Sequence, residues 1–316
     1  LSTEVQIARE EAVSAERRTQ ILDLVEAATS ADGVSPLDEQ SLLQLRDPAG
    51  SPGVRHLLAL RGDLVAGYAI TSPDDEAGRN GELAVHPGHR GIGIGASLVE
   101  ALQQDAPALH VWAHGNLPAA QALAQRAGFD KARVLWQLRR PLDESIAEAT
   151  LPDGVEIRPF VPGQDEDEWL AVNAAAFATH PEQGHWSRAD LDARMAETWF
   201  DPAGFLIAEV TTDSLRSAGD ESALERGAIA GFHWTKVHDG GTPEAIGEVY
   251  VVGVEPRAQG LGLGKTLTLA GLHHLHGDGL AAVLLYVDDD NIAAMRLYER
   301  IGFTPYASDV RYKWTK

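Results

Sequence analysis

Val254-Glu255-Pro256-Arg257-Ala258-Gln259-Gly260-Leu261-Gly262-Leu263-Gly264-Lys265 is the stretch on which the reading of the fold turns. The apolar run Val249 to Val254 ends in it and reads as a strand; a helix is expected from near Lys265. Between them alternate residues are glycine. Without a Cβ the backbone takes up positive φ and lets a ligand approach closely. Peptide N–H groups gathered there, at the positive end of a helix, suit an anion such as a diphosphate. Taken alone, the spacing fits equally well a tight strand-to-helix turn that binds nothing.

The chain carries the pattern twice. Val85-x-Pro87-x-x-Arg90-Gly91-Ile92-Gly93-Ile94-Gly95-x-x-Leu98 matches Val254-x-Pro256-x-x-Gln259-Gly260-Leu261-Gly262-Leu263-Gly264-x-x-Leu267. Further on, Asn116 with Arg126-Ala127-Gly128-Phe129 matches Asn291 with Arg300-Ile301-Gly302-Phe303. Two matched motifs in the same order and context argue for a duplicated domain. They do not resemble a Rossmann unit, because no acidic residue follows at a ribose-reading position and the elements do not simply alternate.

The remaining patterns support two α/β halves, residues 1–140 and 155–316. The Pro/Gly-punctuated acidic stretch 141–154 serves as linker. Residues 5–28 include a long helix, with Ile21, Leu22, Leu24 and Val25 as its apolar side, broken at Asp32-Gly33. A second helix opens at Pro36, with Asp38 and Glu39 in its first turn. Strands are expected at His56 to Leu60 and Leu64 to Ile70, joined by the Arg61-Gly62-Asp63 turn, and at Glu82 to Val85, Leu109 to Ala113 and Val134 to Leu138. The second half repeats the order, with Val310 to Trp314 as its closing strand. The expected fold class is mixed α+β, each domain a twisted mixed sheet flanked by helices.

Composition narrows the function classes. The 316 residues suffice for two domains. The formal charge of −21 opposes nucleic-acid and anionic-membrane binding. The chain has no cysteine, which removes disulfides, thiolate catalysis and cysteine metal sites and fits a reducing cytoplasm. Leu1-Ser2-Thr3-Glu4 does not read as a secretory leader, and no apolar run reaches the roughly 18 residues of a membrane span. His180, His185, His233, His273, His274 and His276 show no metal-ligand spacing, so no metal is expected. A monomer is compatible with all of this.

The (Arg/Gln)-x-x-Gly-x-(Gly/Ala) turn after a strand, the downstream Asn, the Tyr on the next helix and the closing Gly-Phe resemble the GCN5-related N-acetyltransferases (GNAT). The resemblance covers nearly the whole chain and implies tandem domains that bind acetyl-CoA. It implies that the pyrophosphate lies on the amides of Gln259, Gly260, Leu261, Gly262, Leu263 and Gly264 with Lys265, near Asn291 and Arg296. Val252, Gly253 and Val254 would pair with the pantetheine arm. The first half offers Leu83, Ala84 and Val85, then Arg90, Gly91, Ile92, Gly93, Ile94 and Gly95.

Acetyl transfer to an amine needs a base for the attacking nitrogen and benefits from an acid for the departing thiolate. Glu248 precedes Val254 by six residues, whereas Arg79 stands six before Val85. Tyr298 follows Asn291 by seven residues, whereas Leu123 stands seven after Asn116. The second half therefore has a candidate base, Glu248, and acid, Tyr298, and the first half has neither at those positions. The first half is expected to bind CoA weakly, structurally or not at all. Each residue also has a plain structural alternative. Glu248 could be a solvated strand carboxylate and Tyr298 a packed tyrosine; Arg90 and Lys265 could be surface cations.

His180-Pro181-Glu182-Gln183-Gly184, His233-Trp234-Thr235-Lys236-Val237-His238, Gly247-Glu248-Val249-Tyr250-Val251 and Leu285-Tyr286-Val287 resemble the mycothiol synthases, a tandem branch of that family. Trp112-Ala113-His114-Gly115 and Asp32-Gly33-Val34-x-Pro36 fit as well. This resemblance implies acetylation of the cysteinyl amine of Cys-GlcN-Ins, with Glu39, Glu182, Lys236, Glu248 and Tyr286 contacting that substrate between the domains. Glu39 alone could be a helix first-turn carboxylate, Glu182 a loop carboxylate and Lys236 an exposed strand lysine. Acetylation of another small-molecule or peptide amine, and a non-catalytic acyl-CoA sensor, are the alternatives.

Overall fold

The computed structural model of the chain describes residues 5–47, 52–73, 78–143, 145–178, 183–216, 223–238 and 245–316. The first half contributes β1 (Gln6–Glu10), α1 (Ala15–Asp32), α2 (Glu39–Arg46), β2 (Arg55–Arg61), β3 (Leu64–Thr71), β4 (Arg79–Val85), α3 (Ile94–Asp105), β5 (Ala108–Ala113), α4 (Pro118–Arg126) and β6 (Asp130–Pro141). The second contributes β7 (Val155–Pro159), α5 (Glu166–Ala176), α6 (Arg188–Met195), β8 (Phe205–Val210), β9 (Ile229–His238), β10 (Ile246–Val254), α7 (Leu263–Gly277), β11 (Ala282–Asp288), α8 (Ile292–Arg300) and β12 (Thr304–Thr315). The fold is mixed α/β, as expected. Among the described residues no helix is long and apolar enough to cross a membrane.

The start of the chain departs from expectation. Gln6–Glu10 is a strand paired antiparallel with β2, and the helix begins only at Ala15. Ser14 stops the strand by capping that helix, its hydroxyl accepting the Arg17 N–H at 3.2 Å. Gly33, at φ +72, closes α1 as the sequence suggests.

Packing divides the chain into two compact units, residues Leu1–Trp136 with Ala307–Lys316, and Gln137–Tyr306. In the first unit the strand order is β1-β2-β3-β4-β5-β12, with β4 and β5 parallel and the other neighbours antiparallel. The second repeats it as β7-β8-β9-β10-β11, with β10 and β11 parallel and β6 beside β11. The last ten residues thus leave the half in which sequence order puts them and complete the first unit's sheet. A strand's apolar alternation says that it needs an edge but not which of two similar edges it takes.

Each unit's sheet is apolar on both faces. In the first, α3 covers a core around Leu57, Ala69, Leu98 and Leu109, while α1 and α2 cover Leu58, Tyr68 and Ile70. In the second, α5 and α6 cover an aromatic core of Phe160, Trp169, Phe205, Phe232 and Trp234, and α7 covers Ala208, Ala230 and Leu267. Two-sided burial explains why these strands read as near-continuous apolar runs.

A histidine lies in the α7 interface. His233 is fully buried, and its Nδ1 donates to the Leu267 carbonyl at 2.7 Å, which fixes the tautomer and leaves Nε2 without a partner. Gly271 makes room for the ring, since a Cβ there would lie 2.0 Å from His233 Cε1. Burial lowers the imidazole pKa to about 4, so the folded state keeps it neutral while the unfolded chain protonates near 6.5. Above pH 6.5 the two states do not differ at this group. Stability should fall as pH drops from 6.5 towards 4, by on the order of 3 kcal/mol. Urea midpoints measured across that interval should show a shallower acid slope for His233→Gln than for the wild type. Equal slopes would place the acid sensitivity in other groups.

Candidate functional site

The second unit's site begins where two strands part. β10 and β11 pair at Gly247↔Val283, Glu248↔Leu284 and Val249↔Leu285. β9 stays on the other side of β10 as far as Val254↔Gly231. Tyr250 is the extra residue of a bulge in that ladder, and bulges increase local twist. Beyond Val249, then, one edge of β10 lacks a strand neighbour among the described residues. Alternate N–H and C=O groups of Val252, Gly253 and Val254 are offered there to an extended ligand that carries amides. Gly253 is required at this place, because a Cβ would stand 2.6 Å from the Phe232 ring.

The glycine turn lies at the far end of that edge. Gly260 and Gly262 have φ of +86 and +82, and a Cβ on either would meet nothing within 4 Å. Their glycine requirement is therefore conformational, and the space beside them is open. Gly262 is the N-cap of α7 and no side chain caps it, so the first amides of that helix are left for an anion. Leu263 and Leu267 are buried and hold the helix start in place. Gln259 and Lys265 are exposed beside it, as are Asn291 and Arg296 at α8. The Asn291 side-chain oxygen accepts the Ala294 N–H at 3.1 Å, so its amide group is what remains for a ligand.

Around the parting point the structure collects the candidate side chains. Glu248 and Lys236 are direct cross-strand partners and share one face of the sheet. The Lys236 ammonium lies 4.5 Å from the Trp199 ring centre and 4.9 Å from that of Tyr250. Glu248 is buried and bonds His238 Nε2 at 2.6 Å. Tyr286, two residues beyond the partner of Glu248 on β11, is 39% exposed and accepts from Gln137 Nε2 at 2.7 Å. Tyr298 on α8 packs edge-on against Phe303. Desolvation pushes its hydroxyl up to about 12, so it keeps its proton throughout the physiological range. Glu182 lies outside the described residues.

The first unit repeats the arrangement with other side chains. β4 and β5 pair at Arg79↔Leu109, Asn80↔His110 and Gly81↔Val111 and then part. A cleft of 770 Å³ follows, lined by Leu83, Ala84 and Val85, by Gly91, Gly93, Ile94 and Gly95, and by Trp112 and His114. Arg90, at the position of Gln259, is engaged by Asp32 through two contacts of 2.7 Å and donates to the Val85 carbonyl at 3.1 Å. Ile92 is exposed.

Two positions compared by counting need correction. The bulge at Tyr250 adds a residue to β10, so the first-unit counterpart of Glu248 is Asn80, one residue before the last parallel pair, and Arg79 points to the other face. Phe303 N–H bonds the Tyr298 carbonyl at 3.0 Å as Phe129 N–H bonds that of Ala124 at 3.0 Å, so Tyr298 corresponds to Ala124 and not Leu123. Neither Asn80 nor Ala124 supplies a base or an acid. The first half still lacks both at the matched places.

Sequence reasoning missed a constellation in that unit. His114 Nε2 meets Glu82 at 2.6 Å and its Nδ1 meets Asp309 at 3.1 Å. Asp309 also accepts the Gly115 N–H at 2.7 Å, and both Glu82 oxygens accept the Asp38 N–H, at 3.2 and 3.0 Å. Residues this far apart leave no local signal; the exchanged strand β12 brings Asp309 in. Both nitrogens of His114 are occupied, so the group acts as a clamp on the start of α2.

Comparison with known proteins gives the following. Residues 19–129 and 169–303 match the model of the acetyltransferase (GNAT) family. The mycothiol acetyltransferase of Thermomonospora curvata is 55% identical over 93% of this chain and 93% of its own. That of Thermobispora bispora is 51% identical over 93% and 94%. Among solved structures, a tandem GNAT protein from the clavulanic acid biosynthesis pathway superposes with a TM-score of 0.70 at 20% identity, covering 99% of this chain and 98% of its own. A GCN5-related N-acetyltransferase from Sphaerobacter thermophilus gives 0.65 at 24% identity, with 98% and 95% covered. The two structures establish likeness of fold.

The clamp makes a pH-dependent contribution. Burial lowers the His114 pKa, but the Glu82 charge and the bonds to Asp309 and Glu82 outweigh it and raise the value well above 6.5. A raised histidine stabilises fully below the unfolded value and loses that contribution as pH climbs through the folded one. Urea midpoints should therefore decline on the alkaline side in the wild type, and less steeply in His114→Asn. Parallel alkaline limbs would show that the imidazolium contributes nothing.

Proposed function

The chain belongs to the acetyltransferase (GNAT) family, and we propose that it moves the acetyl group of acetyl-CoA to the cysteinyl amine of Cys-GlcN-Ins, giving mycothiol. The observation that carries this reading is the place of Glu248: buried, on the face it shares with Lys236, and one residue before β10 and β11 part. Full-length likeness to mycothiol acetyltransferases supports the choice of substrate.

In this reading the second unit does the chemistry. The open edge at Val252, Gly253 and Val254 pairs with the pantetheine amides, and the turn from Gln259 to Lys265 takes the diphosphate. The thioester then lies at the parting point, beside Glu248. Glu248 removes a proton from the amine, and a backbone N–H of β10 at the opening stabilises the oxyanion. Tyr298 protonates the departing thiolate; a hydroxyl pushed up to about 12 holds its proton until then. Glu39, Glu182, Lys236 and Tyr286 bind the polar body of the substrate and its amine. The first unit, with Arg90 paired to Asp32, serves a structural or weak CoA-binding role.

Incubation with acetyl-CoA and Cys-GlcN-Ins should release free CoA and N-acetylated product. Turnover confined to other amines would replace the substrate, and binding of acetyl-CoA without turnover of any amine would replace the activity. Glu248→Gln should lower kcat/KM by about 10²-fold or more, while an unchanged pH–rate profile would remove Glu248 as the base. Gly262→Glu should abolish turnover, because it puts a strained side chain and a negative charge into the cradle, whereas Gly93→Glu should leave turnover nearly intact. Equal loss in two folded variants would contradict the division of labour.

A further inference from the structure

A buried base must dispose of a proton in every cycle. An amine that arrives as R–NH3⁺ and leaves as an amide loses two protons from nitrogen. The N–C bond forms and the C–S bond breaks; one proton, by way of the tyrosine, ends on the thiolate, and the other must reach water. Glu248 has little access to water of its own, since its side chain is 9% exposed.

His238 supplies what Glu248 lacks. It is the last residue of β9, diagonal to Glu248 across the strand pair and on the same face. Its Nε2 lies 2.6 Å from Glu248 Oε2, while its side chain is 41% exposed. A nitrogen and an oxygen at that separation are close enough to pass a proton directly. No other side chain is bonded to this carboxylate among the described residues. Charged and titratable groups on the same face include Lys236 on β9, Tyr250 on β10, and Tyr286 and Asp288 on β11, and Arg194 of α6 reaches that face through the Tyr250 hydroxyl at 2.9 Å. Lys236 faces aromatic rings and is directly across from Glu248, whereas His238 joins the carboxylate to solvent.

We propose that His238 is the proton outlet of the site: it takes from Glu248 the proton removed from the amine and releases it to water. The Glu248 carboxylic acid passes its proton to Nε2, and the imidazolium loses one from Nδ1 at the surface. The ring returns to its starting tautomer by exchange with water, and no bond other than those to hydrogen changes. The inference rests on Glu248 being the base.

The test uses the full chain with acetyl-CoA and the amine substrate in dilute buffer. His238→Ala should lower kcat by roughly 10-fold or more, with the KM for acetyl-CoA within about 2-fold of wild type. Added imidazole should restore the rate in proportion to its free-base concentration, and kcat should become dependent on buffer concentration. His238→Gln can still hydrogen-bond the carboxylate but cannot relay a proton, so it should be slow as well. Wild-type rates in His238→Gln, or a loss in His238→Ala that neither imidazole nor buffer relieves, would overturn the outlet. Glu248→Gln, assayed alongside, separates the two readings. If it is fully active, the base assignment fails and the outlet with it. If it is impaired while His238→Ala turns over at the wild-type rate, only the outlet fails.

Discussion

A strand that leaves its neighbour exposes backbone donors and acceptors that must find another partner, and the second unit is built around one such place. β10 keeps β9 on one side to its end but loses β11 after Val249. The aromatic core under β9 and the α7 core on the opposite face both continue past that point, so the opening is held by packing on both faces. The glycine turn continues the same edge into the start of α7. One continuous line of backbone groups thus runs from the parting point to the helix N-terminus. It suits a ligand that is extended and amide-bearing at one end and anionic at the other.

Burial acts differently on the ionisable groups of the two units. His233 is held neutral chiefly by desolvation, as a packing element with one fixed tautomer. His114 is mostly enclosed too, but flanking carboxylates turn the balance towards the charged form. The chemistry expected of Glu248 calls for a third arrangement, enclosure on one side and a solvent-facing partner on the other, and His238 completes it. Charge, burial and exit path together separate a group that reacts from one that holds structure. Glu82 and His114 are bonded to each other at 2.6 Å, yet their hydrogen-bonding atoms are also engaged with Asp38 and Asp309.

Much of this was legible in the residues themselves. The repeat of the glycine turn and of the Gly-Phe pair identified the duplication, because positive φ and an uncrowded helix start leave few alternatives to glycine. The apolar runs gave most strands, since both faces of each sheet are covered. Residue counting back from the motif was less secure. One bulge at Tyr250 moves the counterpart of Glu248 from Arg79 to Asn80 and to the other face of the sheet. The first strand, too, was hidden in a helical pattern, because its partner β2 lies far along the chain.

The sequence by itself determined the two copies, the two glycine turns and the half that carries a carboxylate and a tyrosine beside its turn. These follow from local stereochemistry and from the identity of residues near a motif. Only the tertiary structure decided that the last strand joins the first unit, that Asp309 reaches His114, and that His238 reaches Glu248. Each depends on which strand lies beside which and on which face a pleated side chain points. A chain with two similar sheet edges and a bulge one residue long does not express those choices in its order of residues.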